Sequence, residues 1–585
     1  MTQAVILHTI QDVEHCLQQD FHQGARLFST NVHVVYYLKY HFGMECYDLC
    51  SYIDPQEIRR TQAAALQAVK LLLSELDRQI APELNGQFKL SMQYFTPLYA
   101  LTASRQLFLY TLLKHSLGRL LAECPFSSIL IYDGESGPLK SSLQLFLSQM
   151  FPKTRFHLVR YQHTKRRDKT TTRGLRLGDI PELLIREKTS ECNFRKKWFK
   201  QQGQTKNNLL VFEPLDKLSF LARETGEAGV YLYNPWTDPI IRSVFDYELN
   251  LNVMPAVSSL DSVRLVAEDM RELLLLVYED IKKEFCRNFV QYLQVVHAFR
   301  TMEERNPVSD AYWEIPPFQG AGALLLEYCL THKAMRVTGV QSQATFFAGQ
   351  TITPYFPLPV LDRCHRYVTQ GITPEEVKSV YSGITGKAEI ISLCAGDTAK
   401  PTGLHKNRKT ADVAFYLTPA SSFLQTGQVA TNTADQEAIL NFLNECQGKE
   451  IHVVTYAMPS MENCAMLSLL KRLKNIRLIK DATQDNYLVK YAPKLILMDS
   501  PMPYLQNVLG EDISVILRQD TTVVFGKTAE ELLKKRVYYV EGSDETKQLL
   551  QLHFEELLPK KSDAGYVNEF CRQTDLPTLR QYIRA

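Results

Sequence analysis

The sequence predicts an α/β fold built on doubly wound parallel sheets. Short apolar runs suited to buried strands alternate with longer stretches suited to helices, and several runs end in polar or glycine-containing turns. In the second half the strand-like runs recur at intervals of roughly 20–30 residues, the spacing expected of strand–helix units in a doubly wound sheet. In such sheets the residues that follow the strands are the candidates for ligand contact.

The first sixty residues predict the opening of such a sheet. A strand at 4–7 is followed by a turn that leads into a helix at 32–40. Three N-capping candidates precede that helix and one C-capping candidate ends it: Ser29, Thr30, Asn31 and Gly43. The next strand falls at 44–49. A second helix is expected to begin at Pro55, because proline is favoured at the first helical position.

The rest of the first half continues the alternation. Strands are expected at 127–132, 156–161, 209–212 and 230–233, and long helices at 58–80, 90–123 and 261–304. The segment 164–208 breaks the pattern because it is rich in Lys and Arg, and we interpret most of it as an inserted basic loop.

A domain boundary is expected near Asn306-Pro307. The prediction is an N-terminal Rossmann-like domain at 1–306, a C-terminal one at 307–560, and a last helix within 561–585 that could cross back to the first half. Strands of the second domain are expected at 335–340, 366–369, 389–394, 412–417, 452–456, 477–480, 494–498, 514–517 and 522–525.

The composition is that of an ordinary globular protein. The chain has 585 residues, 45% of them hydrophobic, and 66 basic against 64 acidic residues give a net charge of +2. We therefore expect no nucleic-acid partner; a nucleic-acid binder that uses the 164–206 basic segment is the least favoured hypothesis. The 12 cysteines show no CxxC pair and no zinc-ligand spacing, so we expect no metal.

The apolar runs bear on location. The first residues lack the pattern of a secretory leader, and the longest apolar run, 273–278, is far short of the roughly 20 residues that a membrane span needs. We expect a cytoplasmic protein, and contact with the inner face of the membrane stays open.

The residues that follow strands in the second half are candidates for contact with a ligand. Asp499 ends a predicted strand, and Ser500 and Pro501 begin a helix whose free N–H groups suit a phosphate or a sugar hydroxyl. Gln341 follows another strand, and Arg363 lies before the next. His405 and Lys406 follow a glycine turn and could neutralise a phosphate. Each of these turns is also compatible with a purely structural or solvated role.

Carboxylates in the first half are candidates for proton transfer. Asp133, Glu135 and Glu213 follow predicted strands, where a carboxylate can take a proton from a hydroxyl group. Each is equally suited to capping a turn. Walker A, GxSxG and HExxH motifs are absent from the sequence, as is GxGxxG after the first strand, which disfavours ATPases, hydrolases, metalloproteases and dehydrogenases.

Several of these segments carry a family likeness. The Arg26–Asn31 turn, the Asp54–Glu57 helix start, Gly339–Gln341, Asp362–Gly371 and Leu495–Pro501 together resemble transferases of bacterial surface-carbohydrate biosynthesis, and more distantly those that move Kdo from CMP-Kdo. The resemblance implies a GT-B-like arrangement, two Rossmann-type domains facing across a cleft, that acts without a metal ion.

The resemblance implies a glycosyltransferase whose donor is a nucleotide sugar, with a CMP-linked sugar one option, and whose acceptor is a surface glycan or a lipid-linked glycan. No other cofactor is expected. Donor contacts would come from the second half (Gln341, Arg363, His405, Lys406, Asp499 and Ser500), and Asp133 or Glu135 would be the catalytic carboxylate. The sequence departs from the family pattern at Gln341–Gln343, Ala457–Pro459 and Met502-Pro503. These departures motivate an alternative, a non-catalytic GT-B-like protein that binds partners in a glycan-assembly complex.

Overall fold

The architecture is taken from a computed structural model of the full chain. The structure describes residues 3–132, 141–159, 173–175, 207–212, 228–233, 247–249, 254–305, 307–341, 349–351, 361–370, 388–393, 407–418, 433–455, 466–484, 486–499, 505–519 and 523–570. Within these ranges the chain forms three large parallel sheets with helices between their strands. The predicted α/β class is confirmed.

The first sheet has five parallel strands in the order β3-β2-β1-β4-β5. Their bounds are Gln3–Leu7, Ala25–Ser29, Cys46–Asp48, Ser128–Tyr132 and Arg155–Val159. This is the strand order of a Rossmann sheet, in which the direction of winding reverses between β1 and β4. The point of reversal, called here the switch point, is where such sheets place their ligands.

Two helices next to the first sheet begin where the sequence predicts, at Val32 and at Pro55. Asn31 caps the helix α2, accepting from the amide of His33 at 3.0 Å, and Gly43 ends the following π-helical turn with a φ of 64°. The helix predicted to begin at Pro55 does begin there. The bounds are Ile10–Gln18 (α1), Val32–Tyr37 (α2), Leu38–Phe42 (the π-helical turn), Pro55–Phe88 (α3), Phe95–Glu123 (α4) and Ser141–Met150 (α5).

The long helices form one large core with the first two sheets. The turn between α3 and α4 is fixed by Asp77, whose buried carboxylate accepts hydrogen bonds from the amides of Tyr94, Phe95 and Thr96 at 2.7–3.0 Å. These are amides that the start of α4 leaves without helical partners. The other helices of this part are Asp261–Arg264 (α6), Glu268–Arg305 (α7) and Gly320–Thr331 (α8).

The second sheet has six parallel strands in the order β14-β13-β11-β10-β7-β8. Their bounds in chain order are Asn207–Phe212 (β7), Ala228–Tyr233 (β8), Val308–Trp313 (β10), Arg336–Val340 (β11), Arg366–Gln370 (β13) and Glu389–Leu393 (β14). Strand β10 pairs with β7, so strands from both sides of residue 306 share one sheet. The predicted division at 306 is therefore wrong, because it would cut through a sheet.

The third sheet has six parallel strands in the order β17-β16-β15-β18-β19-β21. In chain order this is 3-2-1-4-5-6, the order of a complete Rossmann sheet with its switch point between β15 and β18. The strands are Lys409–Leu417 (β15), Ile451–Thr455 (β16), Ile476–Leu478 (β17), Tyr491–Met498 (β18), Ser514–Arg518 (β19) and Tyr538–Val540 (β21). Residues 495–498 are all buried, as expected for a strand covered by helices on both faces.

The helices around the third sheet are mostly short. They are Thr433–Glu445 (α9), Leu467–Leu470 (α10), Tyr487–Lys490 (α11), Leu505–Leu509 (α12), Lys527–Arg536 (α13), Ser543–Phe554 (α14) and Gly565–Phe570 (α15). Helix α15 contributes Tyr566, Val567 and Phe570 to the same core as the third sheet. The described part of the segment 561–585 thus packs on the third sheet, and residues 571–585, which hold the predicted last helix, lie outside the described residues.

Two small sheets complete the described strands. Gly349–Thr351 (β12) pairs antiparallel with Val523–Phe525 (β20), and Arg173–Leu175 (β6) pairs with Tyr247–Leu249 (β9). The strand predicted at 522–525 is present as β20, and it pairs with β12 and not with a strand of the third sheet. Apart from β6, the predicted basic insertion at 164–208 lies almost wholly outside the described residues.

Candidate functional site

The strongest candidate site lies at the carboxyl edge of the third sheet, at its switch point. Asp499 directly follows β18, and its amide donates to the carbonyl of Tyr416 in β15 at 3.3 Å. Asp499 therefore stands where the two central strands diverge and where a Rossmann sheet places its ligand. The sequence predicted this residue as a site residue, and the structure places it there.

A buried ion pair fixes the Asp499 carboxylate. The guanidinium of Arg518, the last residue of β19, bonds Asp499 through Nη1 and Asp435 through Nη2, the latter at 2.6 Å. Arg518 and Asp499 are 0% and 1% exposed, whereas Asp435 is 33% exposed. A guanidinium with two carboxylates keeps its charge compensated inside the protein, which a buried cation requires.

Gln436 connects this pair to the neighbouring strand. Its side-chain nitrogen donates to the carbonyl of Thr418, just beyond β15, at 3.0 Å and also to the Asp499 carboxylate. Because Gln436 follows Asp435 in the first turn of α9, the start of this helix is tied to β15, β18 and β19.

Gln484 closes the other side of the same edge. Its backbone amide donates to the carbonyl of Thr455 at 3.1 Å, and its side-chain nitrogen donates to the carbonyls of Leu417 and Val454 at 3.1 and 3.2 Å. These carbonyls belong to the ends of β15 and β16. The side chain of Gln484 is held in one orientation in this way, although it belongs to the loop that follows β17.

Four polar atoms of this edge are buried without a hydrogen-bond partner among the described residues. They are Nε of Arg518, Oε1 of Gln436, Oε1 of Gln484 and Oγ1 of Thr418. Buried polar atoms are nearly always satisfied in folded proteins, so a cluster of four at one place requires an explanation. One donor, two acceptors and a hydroxyl form a set suited to the polar edges of a base or a ribose. We call these four residues together with Asp499 the switch-point network.

The carboxyl edge of the first sheet contains a second polar cluster. His8 follows β1, and its Nδ1 lies 2.7 Å from Oγ1 of Thr30, which follows β2. The backbone around the ring is fixed as well, since the Asn31 amide group donates to the His8 carbonyl at 2.8 Å and Asp12 accepts from the His8 amide at 2.9 Å. Nε2 of His8 is buried and has no partner among the described residues.

Burial sets the protonation of His8. The residue is 3% exposed. Burial lowers the pKa of its imidazole to about 4, an effect that the nearby Asp12 carboxylate only partly opposes. The ring is therefore neutral at pH 7, so one ring nitrogen carries a lone pair and can accept a proton.

Of the other predicted site residues, the structure describes only Gln341 and Arg363, and neither contacts this network. Gln341 is buried at the carboxyl end of β11 in the second sheet, where its backbone N–H donates to the carbonyl of Val368 at 2.9 Å. Five predicted residues lie outside the described part of the chain and remain predictions: Asp133, Glu135, His405, Lys406 and Ser500. Glu213 lies outside it as well.

Arg363 has a placement that favours a structural role over contact with a donor. It precedes β13, at the opposite end of the strand from the edge where ligands bind. Its guanidinium donates to the Pro97 carbonyl at 3.0 Å and to Glu327 at 3.3 Å. Burial raises the pKa of Glu327, and the Arg363 charge opposes that rise.

The sequence interpretation missed five residues of these two edges: His8, Thr418, Gln436, Gln484 and Arg518. Three of them carried a usable signal. Arg518 follows the apolar run Val515–Leu517, His8 follows the apolar run Ala4–Leu7, and Thr418 follows the apolar run Val413–Leu417. A polar residue at the end of such a run is a candidate by the same argument that selected Asp499. Gln436 and Gln484 have no such signal, because they reach the edge from a helix and a loop.

The described residues also bear on metal binding and on membrane crossing. These residues contain no cluster of His, Cys, Asp and Glu that could hold a metal ion. No described helix combines the length and apolar character that crossing a bilayer demands.

Comparisons with known proteins give only distant likenesses. No protein-family model and no curated protein matches the chain. Among solved structures, the UDP-GlcNAc 2-epimerase of Neisseria meningitidis, bound to UDP-GlcNAc, is 13% identical with a TM-score of 0.35, over 65% of this chain and 100% of that one. The corresponding enzyme of Methanocaldococcus jannaschii, in complex with UDP-GlcNAc and UDP, is 14% identical with a TM-score of 0.36, over 64% and 99%.

A third solved structure is the lipopolysaccharide outer core galactosyltransferase WaaB in its apo form. It is 10% identical with a TM-score of 0.34, over 65% of this chain and 99% of that one. Likenesses at this level carry no argument about reaction or substrate, so the case for function depends on the residues of the two sheet edges.

Proposed function

We propose that this chain is a glycosyltransferase that takes its sugar from a nucleotide-sugar donor. The carrying observation is the switch-point network: a sheet with Rossmann strand order has four buried polar atoms that lack a hydrogen-bond partner among the described residues, at the edge where such sheets bind nucleotides. The third sheet and its helices would hold the nucleotide, and the first sheet would hold the acceptor and supply the base. The GT-B-like arrangement of the two sheets across a cleft is part of the proposal.

The proposed contacts with the nucleotide-sugar donor use the polar atoms of the network that have no partner among the described residues. Arg518 offers Nε–H to an acceptor on the ligand, and the Gln436 and Gln484 oxygens accept from its N–H or O–H groups. Asp499 acts indirectly, because its carboxylate already holds Arg518 and Gln436 in place. Gln341, His405, Lys406 and Ser500 remain proposed contacts from the sequence, with the two basic side chains offsetting charge on the phosphates.

The reaction needs a base for the acceptor hydroxyl. As the acceptor oxygen attacks the anomeric carbon, the bond between that carbon and the phosphate oxygen breaks, and the nucleotide departs with the electron pair. The proton of the hydroxyl goes to Asp133 or Glu135, as proposed from the sequence. We add Nε2 of His8 as a candidate for the same step, because it is buried at the switch point of the first sheet and has no hydrogen-bond partner among the described residues.

Surface-carbohydrate or lipid-linked acceptors and a location at the inner face of the membrane form the finer part of the proposal. Both are supported by the sequence resemblance alone. The same holds for a CMP-linked donor.

A non-catalytic binding protein is the second candidate. Its support is the commitment of predicted donor residues to the fold: Asp499 is bonded to Arg518, and Arg363 to Glu327 and a backbone carbonyl. Under this proposal the two-sheet scaffold persists and serves as a partner surface in a glycan-assembly complex.

A thermal-shift panel with CMP, UDP, GDP, dTDP and ADP tests the proposal. A ligand at 100 times its Kd adds about 2.7 kcal/mol of stability, so one nucleotide should raise Tm clearly. Thr418→Val should reduce that rise, because it removes a buried hydroxyl that has no partner among the described residues and is available to the ligand, while the size of the side chain is kept. Thr102→Val in α4 is the matched control and should keep it. A folded protein that responds to none of the five contradicts the transferase proposal, and binding without sugar release or transfer favours the second candidate.

A further inference from the structure

The helix α9 touches two parts of the protein with three consecutive residues. Asp435 and Gln436 bond Arg518 and Asp499 of the switch-point network. The next residue, Glu437, faces the segment 32–40 that follows β2, and its carboxylate accepts a hydrogen bond from Nζ of Lys39 at 2.7 Å.

The segment 32–40 gives the Glu437 carboxylate further hydrogen-bond donors. The hydroxyl of Tyr40 also donates to the Glu437 carboxylate, and Tyr36 forms a side-chain hydrogen bond to it. These residues belong to α2 and the π-helical turn that follows it, the segment that leaves the carboxyl end of β2. The Nζ of Lys39 lies 5.4 Å from the centre of the Tyr40 ring.

Packing holds this contact in place. Val32 and Tyr36 of α2 are buried in the same apolar cluster as Leu440 and Leu443 of α9. Arg472 lies just after α10, and its guanidinium donates to the Tyr40 carbonyl and lies 5.6 Å from the centre of the Tyr40 ring. The segment 32–40 therefore bears on α9 through apolar, ionic and hydrogen-bonded contacts together.

The charge of Glu437 is favoured by these contacts. The side chain is 18% exposed, while Lys39 is 52% exposed. Burial alone would raise the pKa of Glu437, but the hydrogen bonds from Lys39 and Tyr40 outweigh it and hold the pKa below its ordinary value. At neutral pH the contact is an ion pair reinforced by a tyrosine hydroxyl.

We propose that Lys39 and Tyr40 are positioning residues for the nucleotide site of the third sheet. They hold Glu437 and thereby fix the first turn of α9, which places Gln436 and Asp435 against Asp499 and Arg518. This proposal depends on the proposed function, because it assumes that a nucleotide binds at the switch-point network. Its consequence is that breaking a contact made by the segment 32–40 weakens nucleotide binding at the third sheet, although neither Lys39 nor Tyr40 belongs to the switch-point network.

A purely structural interface makes a different prediction. An ion pair with a half-exposed lysine contributes little to stability. If it did nothing else, its loss would slightly lower Tm and leave the affinity unchanged. Coupling between sites shifts affinity instead, typically by about 5-fold or more. Affinity, measured well below Tm, therefore separates positioning from simple packing.

The test is calorimetric titration of the full-length chain with the nucleotide that gives the largest Tm rise, starting with CMP. Lys39→Met and Glu437→Gln should each weaken Kd by about 5-fold or more. The charge-swapped chain with Lys39→Glu and Glu437→Lys should recover at least half of that loss. Lys560→Met is the control, since Lys560 forms a 2.5 Å ion pair with Asp512, is 48% exposed and lies outside α9 and the network.

Tyr40→Phe keeps the test decisive where a charge change disturbs folding, because it removes only the hydroxyl that reaches Glu437. Its affinity should fall in the same direction as that of Lys39→Met. Unchanged Kd in folded Lys39→Met, Glu437→Gln and Tyr40→Phe chains would overturn the proposal while leaving the proposed function intact. A wild-type chain that binds no nucleotide overturns the proposed function, and this inference with it.

Discussion

Removing the buried Arg518 should destabilise the third sheet strongly. In Arg518→Met the carboxylate of Asp499, which is 1% exposed, loses its ionic partner but keeps its charge inside the protein. Breaking one side of a buried ion pair costs about 3–5 kcal/mol. The expected loss is in this range and should be confined largely to β18 and β19, whose ends the pair joins.

The double variant Arg518→Met with Asp499→Leu separates the ion pair from simple packing. Replacing both partners by apolar groups removes the uncompensated charge, so stability should return to within about 1–2 kcal/mol of the wild type. Arg477→Met is the matched control: Arg477 lies in the same sheet, is 56% exposed and is 3.8 Å from Glu450, so its loss should cost less than about 1 kcal/mol.

Native-state hydrogen exchange is the suitable assay, because a chain with several sheets has no single unfolding free energy. Protection of the amides in 491–498 and 514–518 gives the local value. A double variant as unstable as Arg518→Met would refute the reasoning, since it would show that lost packing and not the orphaned Asp499 charge sets the cost.

Three further predictions concern stability. The pKa of His8 falls from an ordinary 6.5 to about 4 in the folded chain, so the folded state binds fewer protons than the unfolded chain between these pH values. The contribution of His8 to stability is therefore complete above pH 6.5 and is lost as the pH falls from 6.5 to 4, about 3 kcal/mol in all. His8→Asn should flatten that part of a profile of urea midpoint against pH, and an unchanged slope would contradict the assignment. Gly339→Ala should lower stability by about 1–3 kcal/mol, because the new methyl group would lie 2.5 Å from the buried Trp313 ring. Gly118→Ala, whose new methyl group would have its nearest atom at 3.9 Å, should lower stability not at all, and equal Tm values for the two variants would contradict the prediction. Asp77→Asn should lower Tm by the equivalent of about 1–3 kcal/mol, because an amide cannot accept all of the hydrogen bonds at the start of α4. The control is Asp261→Asn, because Asp261 is 79% exposed, and a Tm of Asp77→Asn equal to that of the control would contradict the prediction.

Much of the fold could be predicted because buried parallel strands have a strong local pattern. The run Leu495–Met498 is continuously apolar, and both Asn31 and Pro55 mark helix starts by their chemistry. The division at 306 failed because pairing of parallel strands is not local. Strand β10, 308–313, joins β7, about a hundred residues earlier, and its mixed sequence Val-Ser-Asp-Ala-Tyr-Trp has no apolar run to reveal it.

The candidate site could be predicted only where a residue ends its own strand. Asp499 met that condition. Its partners are distant in sequence: Gln436 is 63 residues away and Arg518 is 19 residues away, and their meeting depends on the strand order. The unpartnered atoms are a property of the assembled edge, so no single segment carries that signal.

Hydrogen exchange of the full-length chain with and without its best-binding nucleotide tests the central claim most directly. The account predicts that the nucleotide slows exchange at 433–437, 481–487 and the end of β18, where Gln436, Gln484 and Asp499 lie. It also predicts that Thr418→Val reduces this protection together with the affinity. Protection confined to the second sheet, or to any surface away from the third sheet's carboxyl edge, would contradict the assignment of the nucleotide site.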